Sequence, residues 1–166
     1  MPKTEKIVIN TSPLIALVAA WGDLTILSSL YEEIFVTFEV CQEILQGGSV
    51  NFAVSEFNRA SWLNKQRIPL TITPFLLNSL DLGEASVIQF ALDNNLTTVC
   101  IDEAVGRRIA RLNGLNLTGS IGIILKAKQQ NPSLSVKEAI KNMLSHKIRL
   151  SQVVIDFALK QAGEEE

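Results

Sequence analysis

Short runs of apolar, β-branched residues alternate with helical stretches along most of the chain, and this alternation is the strongest constraint on its fold. Residues 6–10 (KIVIN) and 34–36 (IFV) have the composition of buried strands. Residues 97–103 (TTVCIDE) form another strand-like run, which ends in two acids. Strands that alternate with helices indicate a mostly parallel sheet with helices on both faces, joined by right-handed crossovers. We therefore predict a three-layer α/β/α fold of the α/β class.

The length of the chain favours a single domain covering residues 1–166, with residues 163–166 forming a frayed tail. No repeat or low-complexity linker marks a second domain. A hydrophobic content of 47% suits a sheet that is buried on both faces. A chain of this size can bury a sufficient core without disulfides or metals.

A cytoplasmic location is expected, with no membrane association. No apolar run approaches the roughly 20 residues that span a bilayer, and the polar start of the chain does not resemble a signal peptide. Cys41 and Cys100 lie far apart and form no CxxC pair, so free thiols are expected.

Local signals predict where several elements begin and end. Ser12 is expected to cap the first helix, with Pro13 in its first turn. Residues 51–64 have the pattern of a helix, and residues 70–73, flanked by prolines, that of an edge strand. Further predicted boundaries are a helix end at residues 47–48, a last strand at 115–117, and helices at 104–112 and 136–145.

The net charge of −2 argues against a general nucleic-acid binder, but the charges are unevenly distributed. Residues 101–150 contain 9 Lys or Arg against 3 Asp or Glu, whereas residues 1–100 contain 5 against 10. A basic segment beside an acidic cluster can hold a polyanion next to a metal. The alternative is that these lysines and arginines only solvate helix faces.

Four polar residues occupy positions where parallel α/β proteins bind ligands. Asp102 and Asn10 each end a strand, and ligands lie beyond the carboxyl ends of such strands. Glu84 lies in the first turn of a helix, and Glu43 lies on the helix after the second strand. Each has an ordinary alternative: Asp102 can cap the next helix, Glu84 can form a reciprocal capping pair with Asp81, and Glu43 can be solvated.

Neighbouring central strands would bring Asn10 and Asp102 together, and a helix starting above the same edge would add Glu84. Clustered carboxylates raise one another's pKa unless a cation lies among them. Oxygen ligands of this kind suit Mg²⁺ or Mn²⁺ rather than zinc. The pattern thus predicts a divalent-metal site at the carboxyl edge of the sheet.

Three short motifs resemble those of PIN domains. They are residues 8–15 (VINTSPLI), residues 82–85 (LGEA), and residues 101–103 (IDE) followed by Arg107 and Ala110. The resemblance covers nearly the whole chain and is strongest to short prokaryotic PIN-like proteins of the toxin type. It implies a PIN-like fold and the activity of a Mg²⁺- or Mn²⁺-dependent ribonuclease, in many members the toxin of a toxin–antitoxin pair.

The family site is an acidic quartet, which falls on Asn10, Glu43, Glu84 and Asp102. The resemblance implies that all four hold the metal and that the three acids are catalytic. A hydroxyl residue that the family often has two positions before the last acid falls on Cys100. It further implies single-stranded RNA as a partner, an antitoxin protein as another, and a homodimer.

Asn10 and Cys100 depart from the family pattern. Asn10 retains a carbonyl oxygen but lacks a full negative charge, and unit charges ~4 Å apart interact by ~4 kcal/mol at an effective dielectric near 20. Glu103 would restore part of that charge if its side chain turned inward. Cys100 is a poorer hydrogen-bonding group than Ser or Thr. The sequence therefore supports either a metal-dependent ribonuclease or a catalytically degenerate module that binds RNA or protein.

Two further features are candidates for phosphate contacts. Arg107 and Arg108 follow the central strand and are expected either to contact RNA or to form ion pairs. The turn at residues 118–122 (TGSIG) opens a helix and can cradle a phosphate, although it lacks the lysine of a P-loop. Close packing of a helix on a strand is the alternative explanation for its glycines.

Overall fold

A computed structural model describes residues 5–46 and 52–165. The strands within this part of the chain are β1 Lys6–Ile9, β2 Glu33–Val36, β3 Asn64–Lys65, β4 Thr98–Cys100 and β5 Asn116–Thr118. They form one parallel sheet in the order β3-β2-β1-β4-β5. The predicted mostly parallel sheet is therefore confirmed, and every pairing in it is parallel.

Helices occupy most of the connections and give the three-layer α/β/α arrangement. The helices in the described residues are α1 Thr11–Trp21, α2 Thr25–Leu30, α3 Phe38–Gln46, α4 Val54–Arg59, α5 Pro74–Ser79, α6 Leu82–Asp93, α7 Ala104–Leu112, α8 Ser120–Gln130, α9 Val136–Ser145 and α10 Gln152–Gln161. In the part of the chain that the structure covers, no helix is both long enough and apolar enough to cross a membrane.

The central strands β1 and β4 are buried in the core, apart from the exposed Lys6 at the start of β1. Val8 pairs in register with Phe35 of β2 on one side and with Val99 of β4 on the other. Val8 and Val99 are both fully buried. From β1 the chain continues to one side of the sheet and later returns to β4 on the other. The carboxyl ends of β1 and β4 therefore form the switch point at which parallel α/β sheets bind ligands.

The first helix begins earlier than predicted. Asn10, not Ser12, is its N-cap residue, and Thr11 is already helical. Asn10 has extended backbone angles, and its N–H donates to the carbonyl of Cys100 at 3.0 Å. Because this bond continues the strand pairing, the chain passes from β1 into α1 without a loop. Pro13 still falls in the first turn, where its missing N–H costs nothing.

The region between residues 52 and 73 differs from the prediction. The edge strand is β3, whereas residues 70–73 form no strand. The helix α4 is shorter than the helix predicted at residues 51–64. Residue 51 lies outside the described part of the chain. The two end residues of the segment 70–73 donate their backbone N–H groups to side chains instead of to a neighbouring strand. The Glu39 carboxylate accepts from Leu70 N at 2.9 Å, and the Gln89 carbonyl accepts from Thr73 N at 3.0 Å. The helix end predicted at residues 47–48 also lies outside the described residues.

The end of the chain is not frayed at Glu164. Its carboxylate accepts hydrogen bonds from Val136 N at 2.7 Å and from Lys137 N at 3.1 Å, at the start of α9. Lys128 Nζ lies 3.2 Å from the same carboxylate. These contacts fix the segment that follows α10 against two other helices.

Candidate metal centre and active site

Asn10 lies at the junction of β1 and α1, with its side chain directed inward. It is 5% exposed, and its amide does not cap the helix that it precedes. Among the described residues, none forms a hydrogen bond with its Oδ1 atom, which is fully enclosed. The site therefore contains a buried carbonyl oxygen that is free to bind a ligand.

Glu43 meets Asn10 above Gly83, at the start of α6. A Cβ atom built on Gly83 would lie 2.8 Å from Glu43 Oε2 and 3.3 Å from Asn10 Oδ1. The structure thus brings together two of the four residues predicted from the family pattern, although Glu43 itself is exposed. Gly83 immediately precedes Glu84, so the start of α6 is adjacent to this pair.

Glu84 is the most deeply buried acid of the predicted set. Asp81 Oδ1 accepts from Glu84 N at 3.0 Å, which confirms Asp81 as the N-cap of α6. Glu84 Oε2 does not accept the reciprocal hydrogen bond of a capping box from the Asp81 backbone N–H. This oxygen is enclosed, and it has no hydrogen-bond partner within the described part of the chain. Glu84 is 4% exposed. Burial, with the nearby charges of Asp81 and Glu103, raises its pKa to about 7.

Glu84 belongs to a compact group of three acids that differs from the predicted quartet. Oxygen atoms of Asp81, Glu84 and Glu103 all lie within 4.8 Å of one another. Among the described residues, neither Glu43 nor Asp102 is part of such a three-acid group. The sequence predicted Asp81 only as a helix cap. Its position three residues before Glu84, on the same side of the helix start, was the signal that could have placed it in the acid group as well.

Asp102 lies at the carboxyl end of β4 and contacts the start of α8. Its Oδ1 accepts a hydrogen bond from Ser120 N at 2.7 Å. The alternative that Asp102 caps the following helix is therefore wrong, because the N-cap of α7 is Glu103. Asp102 instead satisfies an amide of a helix 18 residues further along the chain.

Glycines allow the backbone to approach three of these carboxylates closely. In each case a Cβ atom would lie 2.6–2.8 Å from a carboxylate oxygen, closer than real Cβ contacts. The pairs are Gly83 with Glu43, Gly106 with Glu84, and Gly119 with Asp102. Each acid is therefore held against a neighbouring helix start rather than on a mobile loop.

A buried pair of hydroxyl groups fixes α3 to α6. Thr37 Oγ1 and Ser86 Oγ are 2.7 Å apart, and both residues are fully buried. Thr37 Oγ1 also accepts from Val40 N in the first turn of α3, at 3.1 Å. This contact links the start of the helix that carries Glu43 to the helix that carries Glu84, and no local sequence signal predicts it.

Arg107 connects the ends of two strands. Its Nη1 donates to the carbonyl of Ile101 at 2.7 Å and to that of Thr118 at 3.2 Å. Arg108 is exposed. Within residues 5–46 and 52–165, neither arginine forms an ion pair shorter than 4 Å. Arg107 therefore has a clear structural contact, and the expected ion pairing is not observed for either residue.

Cys100 is fully buried in β4, two residues before Asp102. Burial raises the pKa of its thiol well above the usual range, and the charge of Asp102 adds to this effect. The thiol is therefore held neutral and behaves as a small apolar group. Among the described residues, Cys100 is not part of the group of possible metal ligands formed by Asp81, Glu84 and Glu103.

The donor atoms of the site fit an oxygen-coordinated divalent cation. Buried polar atoms are nearly always hydrogen-bonded, yet Asn10 Oδ1 and Glu84 Oε2 find no partner in the described part of the chain. Both belong to the junction of the two central strands with the start of α6. Carboxylate and carbonyl oxygens are the ligands of Mg²⁺ and Mn²⁺, whereas zinc prefers histidine and cysteine.

A family model described as a PIN domain matches residues 6–164. The chain therefore belongs to the PIN-domain family, and its fold is of the nuclease type. PIN domains generally use divalent metals, and this chain has a cluster of acids at the corresponding edge of the sheet. A search of the curated proteins returned no match.

Proposed function

We propose that this chain is a divalent-metal-dependent ribonuclease whose metal centre is built around Glu84. The observation that carries the proposal is the state of that carboxylate. It is 4% exposed, its Oε2 is unpartnered among the described residues, and two other carboxylates lie within 4.8 Å. Such a cluster is electrostatically unfavourable unless a cation neutralises it.

Glu84 and the Asn10 carbonyl would hold the ion, with Asp81 and Glu103 supplying charge beside Glu84. Bound Mg²⁺ or Mn²⁺ supplies water activation and neutralises charge that develops on a phosphate. In this arrangement Glu103 compensates for the charge that Asn10 lacks. Glu84 must be ionised to act as a ligand, so the metal is expected to bind more tightly as the pH rises through 7.

Glu43 and Asp102 complete the predicted site at its two sides. Glu43 approaches Asn10 over Gly83, and Asp102 is fixed on Ser120 N. We propose that both help to hold the metal, as the family quartet implies, and that they orient the attacking water. Single-stranded RNA is the proposed substrate, because the segment 101–150 that begins at this edge is strongly basic.

Cleavage of a fluorescent single-stranded RNA tests this proposal. We expect cleavage with Mn²⁺ that stops with EDTA and falls more than about 100-fold in Glu84→Gln and Asp102→Asn, beyond the effect of losing an outer-shell contact. Glu32→Gln is the matched control, because Glu32 is an exposed acid beside the amino end of β2. Equal activity in the native chain and the three variants would show that a contaminating nuclease causes the cleavage.

A second candidate function is an RNA- or protein-binding module without catalysis. It is favoured by the neutral Asn10 and by the position of Glu43 and Asp102 outside the three-acid group. The variant Asn10→Asp separates the two proposals. Activity that appears only in Asn10→Asp would establish the degenerate module, whereas native activity that this variant merely increases supports the nuclease.

The protein partners that the family resemblance implies are also proposals. The chain would act as the toxin of a toxin–antitoxin pair and would form a homodimer. Sedimentation velocity of the purified chain tests the dimer directly. Co-expression with the protein encoded next to it, followed by measurement of growth and RNA cleavage, tests the antitoxin.

A further inference from the structure

A cavity of about 490 Å³ opens beside Asp102 and extends away from the acid cluster. It lies between the first turn of α8, the connection from α9 to α10, and α10 itself. The turn at residues 118–122, for which a phosphate contact and close helix packing were both open alternatives, forms one of its walls. Its volume is within the about 300–1,000 Å³ typical of small-ligand sites.

The walls of this cavity are largely apolar. The apolar side chains that line it include Leu117, Leu125, Ile148, Leu150, Val154 and Phe157. Phe157 remains 53% exposed, although the helix that carries it packs against α8 and α9. An exposed aromatic ring at the edge of a cavity is suited to stacking on a planar ligand.

The end of the cavity nearest the acids is polar, and Asp102, Thr118 and Ser120 contribute to it. Two arginines, Arg107 and Arg149, also line the cavity. Of the residues the structure describes, none forms an ion pair with Arg149 within 4 Å. Arg149 is therefore available to an anionic ligand.

We propose that this cavity binds the base of an unpaired RNA nucleotide adjacent to the phosphodiester that is cleaved. A nucleotide has apolar faces, polar edges and an anionic phosphate, and these match the walls, the polar end and Arg149 respectively. The cavity reaches Asp102, so a base bound here places its own phosphate near the acids. The proposal rests on the proposed function in so far as it concerns a cleaved RNA.

RNA binding in EDTA tests the cavity without requiring cleavage. The probe is a short single-stranded RNA labelled with a terminal fluorophore, and the readout is fluorescence anisotropy. We expect Phe157→Ala and Arg149→Ala each to weaken binding about tenfold or more, in line with the loss of one stacked base or one phosphate contact. Both side chains are exposed, so the variants should fold, which circular dichroism checks.

Two exposed residues near Phe157 and Arg149 in the chain serve as controls. Val153→Ala removes an apolar side chain that is 78% exposed on α10 but does not line the cavity. Lys141→Ala removes an exposed cation on α9, also outside the cavity. We expect both controls to bind RNA within about twofold of the native chain.

Several results would overturn the inference. One is unchanged RNA affinity in Phe157→Ala and Arg149→Ala; another is binding of free mononucleotides but not of RNA. Loss of self-association in Phe157→Ala with unchanged RNA affinity would assign the surface to a protein contact. If native RNA binding depends on Phe157 but no metal restores cleavage, the cavity stands and the ribonuclease proposal fails.

Discussion

Asn10 and Glu84 each place an oxygen where water is excluded, and neither atom has a partner in the described residues. An unsatisfied buried acceptor costs roughly 1–3 kcal/mol, and more if it is charged. A folded chain keeps such atoms when another requirement outweighs that cost. We propose that here the requirement is the binding of a cation.

The cost of burying Glu84 should be measurable as a pH dependence of stability in EDTA. Its pKa in the folded chain, about 7, is higher than the ordinary 4.5. Between these values the unfolded chain has ionised while the folded chain has not, so the free energy of unfolding falls as pH rises. We expect Glu84→Gln to be about 3 kcal/mol more stable than the native chain at pH 8, and nearly equal to it below pH 4.5.

Urea unfolding followed by circular dichroism at both pH values provides the measurement. Glu32→Gln is again the control, because its exposed side chain should leave the difference between the two pH values unchanged. A Glu84→Gln variant that is less stable at pH 8 would mean that the ionised carboxylate is already well satisfied without metal.

Helix starts organise this molecule at the scale of its elements. The starts of α6 and α8 meet Asp81 and Asp102, and the start of α9 meets Glu164. Helix N-termini carry unpaired N–H groups and a partial positive charge, so carboxylates are stabilised there. At α6 and α8 this preference for carboxylates positions acids of the candidate site. At α9 it anchors the segment that follows α10.

The anchoring contact gives a prediction for α9 and the segment after α10. Burial alone would raise the pKa of Glu164, but hydrogen bonds from Lys137 N and Val136 N, together with Lys128, lower it. Its stabilising effect is therefore present above the ordinary pKa of 4.5 and is lost as pH falls through the lowered value. We expect Glu164→Gln to lose about 1 kcal/mol of stability at pH 7.

That loss should shrink as pH falls below 4.5 and through the lowered pKa of the native carboxylate, where the native side chain becomes neutral as well. Urea unfolding of native, Glu164→Gln and Glu165→Gln chains gives the comparison, since Glu165 is an exposed neighbour. An equal loss in both variants, or one independent of pH, would contradict the assignment of Glu164 as the anchor.

At the scale of the whole molecule, the order of the strands places the site. With β1 and β4 adjacent at the centre, Asn10 and Asp102 end neighbouring strands even though they are far apart in the chain. The bond from Asn10 N to the Cys100 carbonyl, at 3.0 Å, extends this pairing to the edge of the site. Anything that binds at this junction therefore couples to the stability of the entire sheet.

Metal binding should accordingly stabilise the whole fold. A ligand at 100 times its Kd adds ~2.7 kcal/mol to the free energy of unfolding. We expect Mn²⁺ to raise the Tm relative to EDTA, and to raise it more at pH 8 than at pH 5.5, because Glu84 must lose its proton to bind. Differential scanning calorimetry at the two pH values measures this.

Glu84→Gln serves as the control for that measurement, since it keeps the shape of the side chain but removes the charge. An Mn²⁺-dependent rise in Tm that persists in Glu84→Gln would place the ion elsewhere on the chain. Absence of any rise in the native chain at pH 8 would contradict a metal centre at this edge.

Local sequence determined much of the framework. The alternation of apolar strands and helices predicted the three layers, and the bounds of α7 and α9 were predicted to the residue. Asp81 was likewise identified as the cap of α6. These features depend on interactions between residues a few positions apart, which hydrophobic periodicity and capping preferences report directly.

Tertiary structure decided the remaining features, because they depend on partners that are remote in the chain. Leu70 N and Thr73 N bond to side chains 31 and 16 residues away, which prevents the predicted edge strand. Asp102 bonds to an amide 18 residues away rather than capping its own helix. The sequence supplied the acids of the site, but only the packing of strand ends against helix starts placed Glu84 with Glu103 and left its oxygen buried.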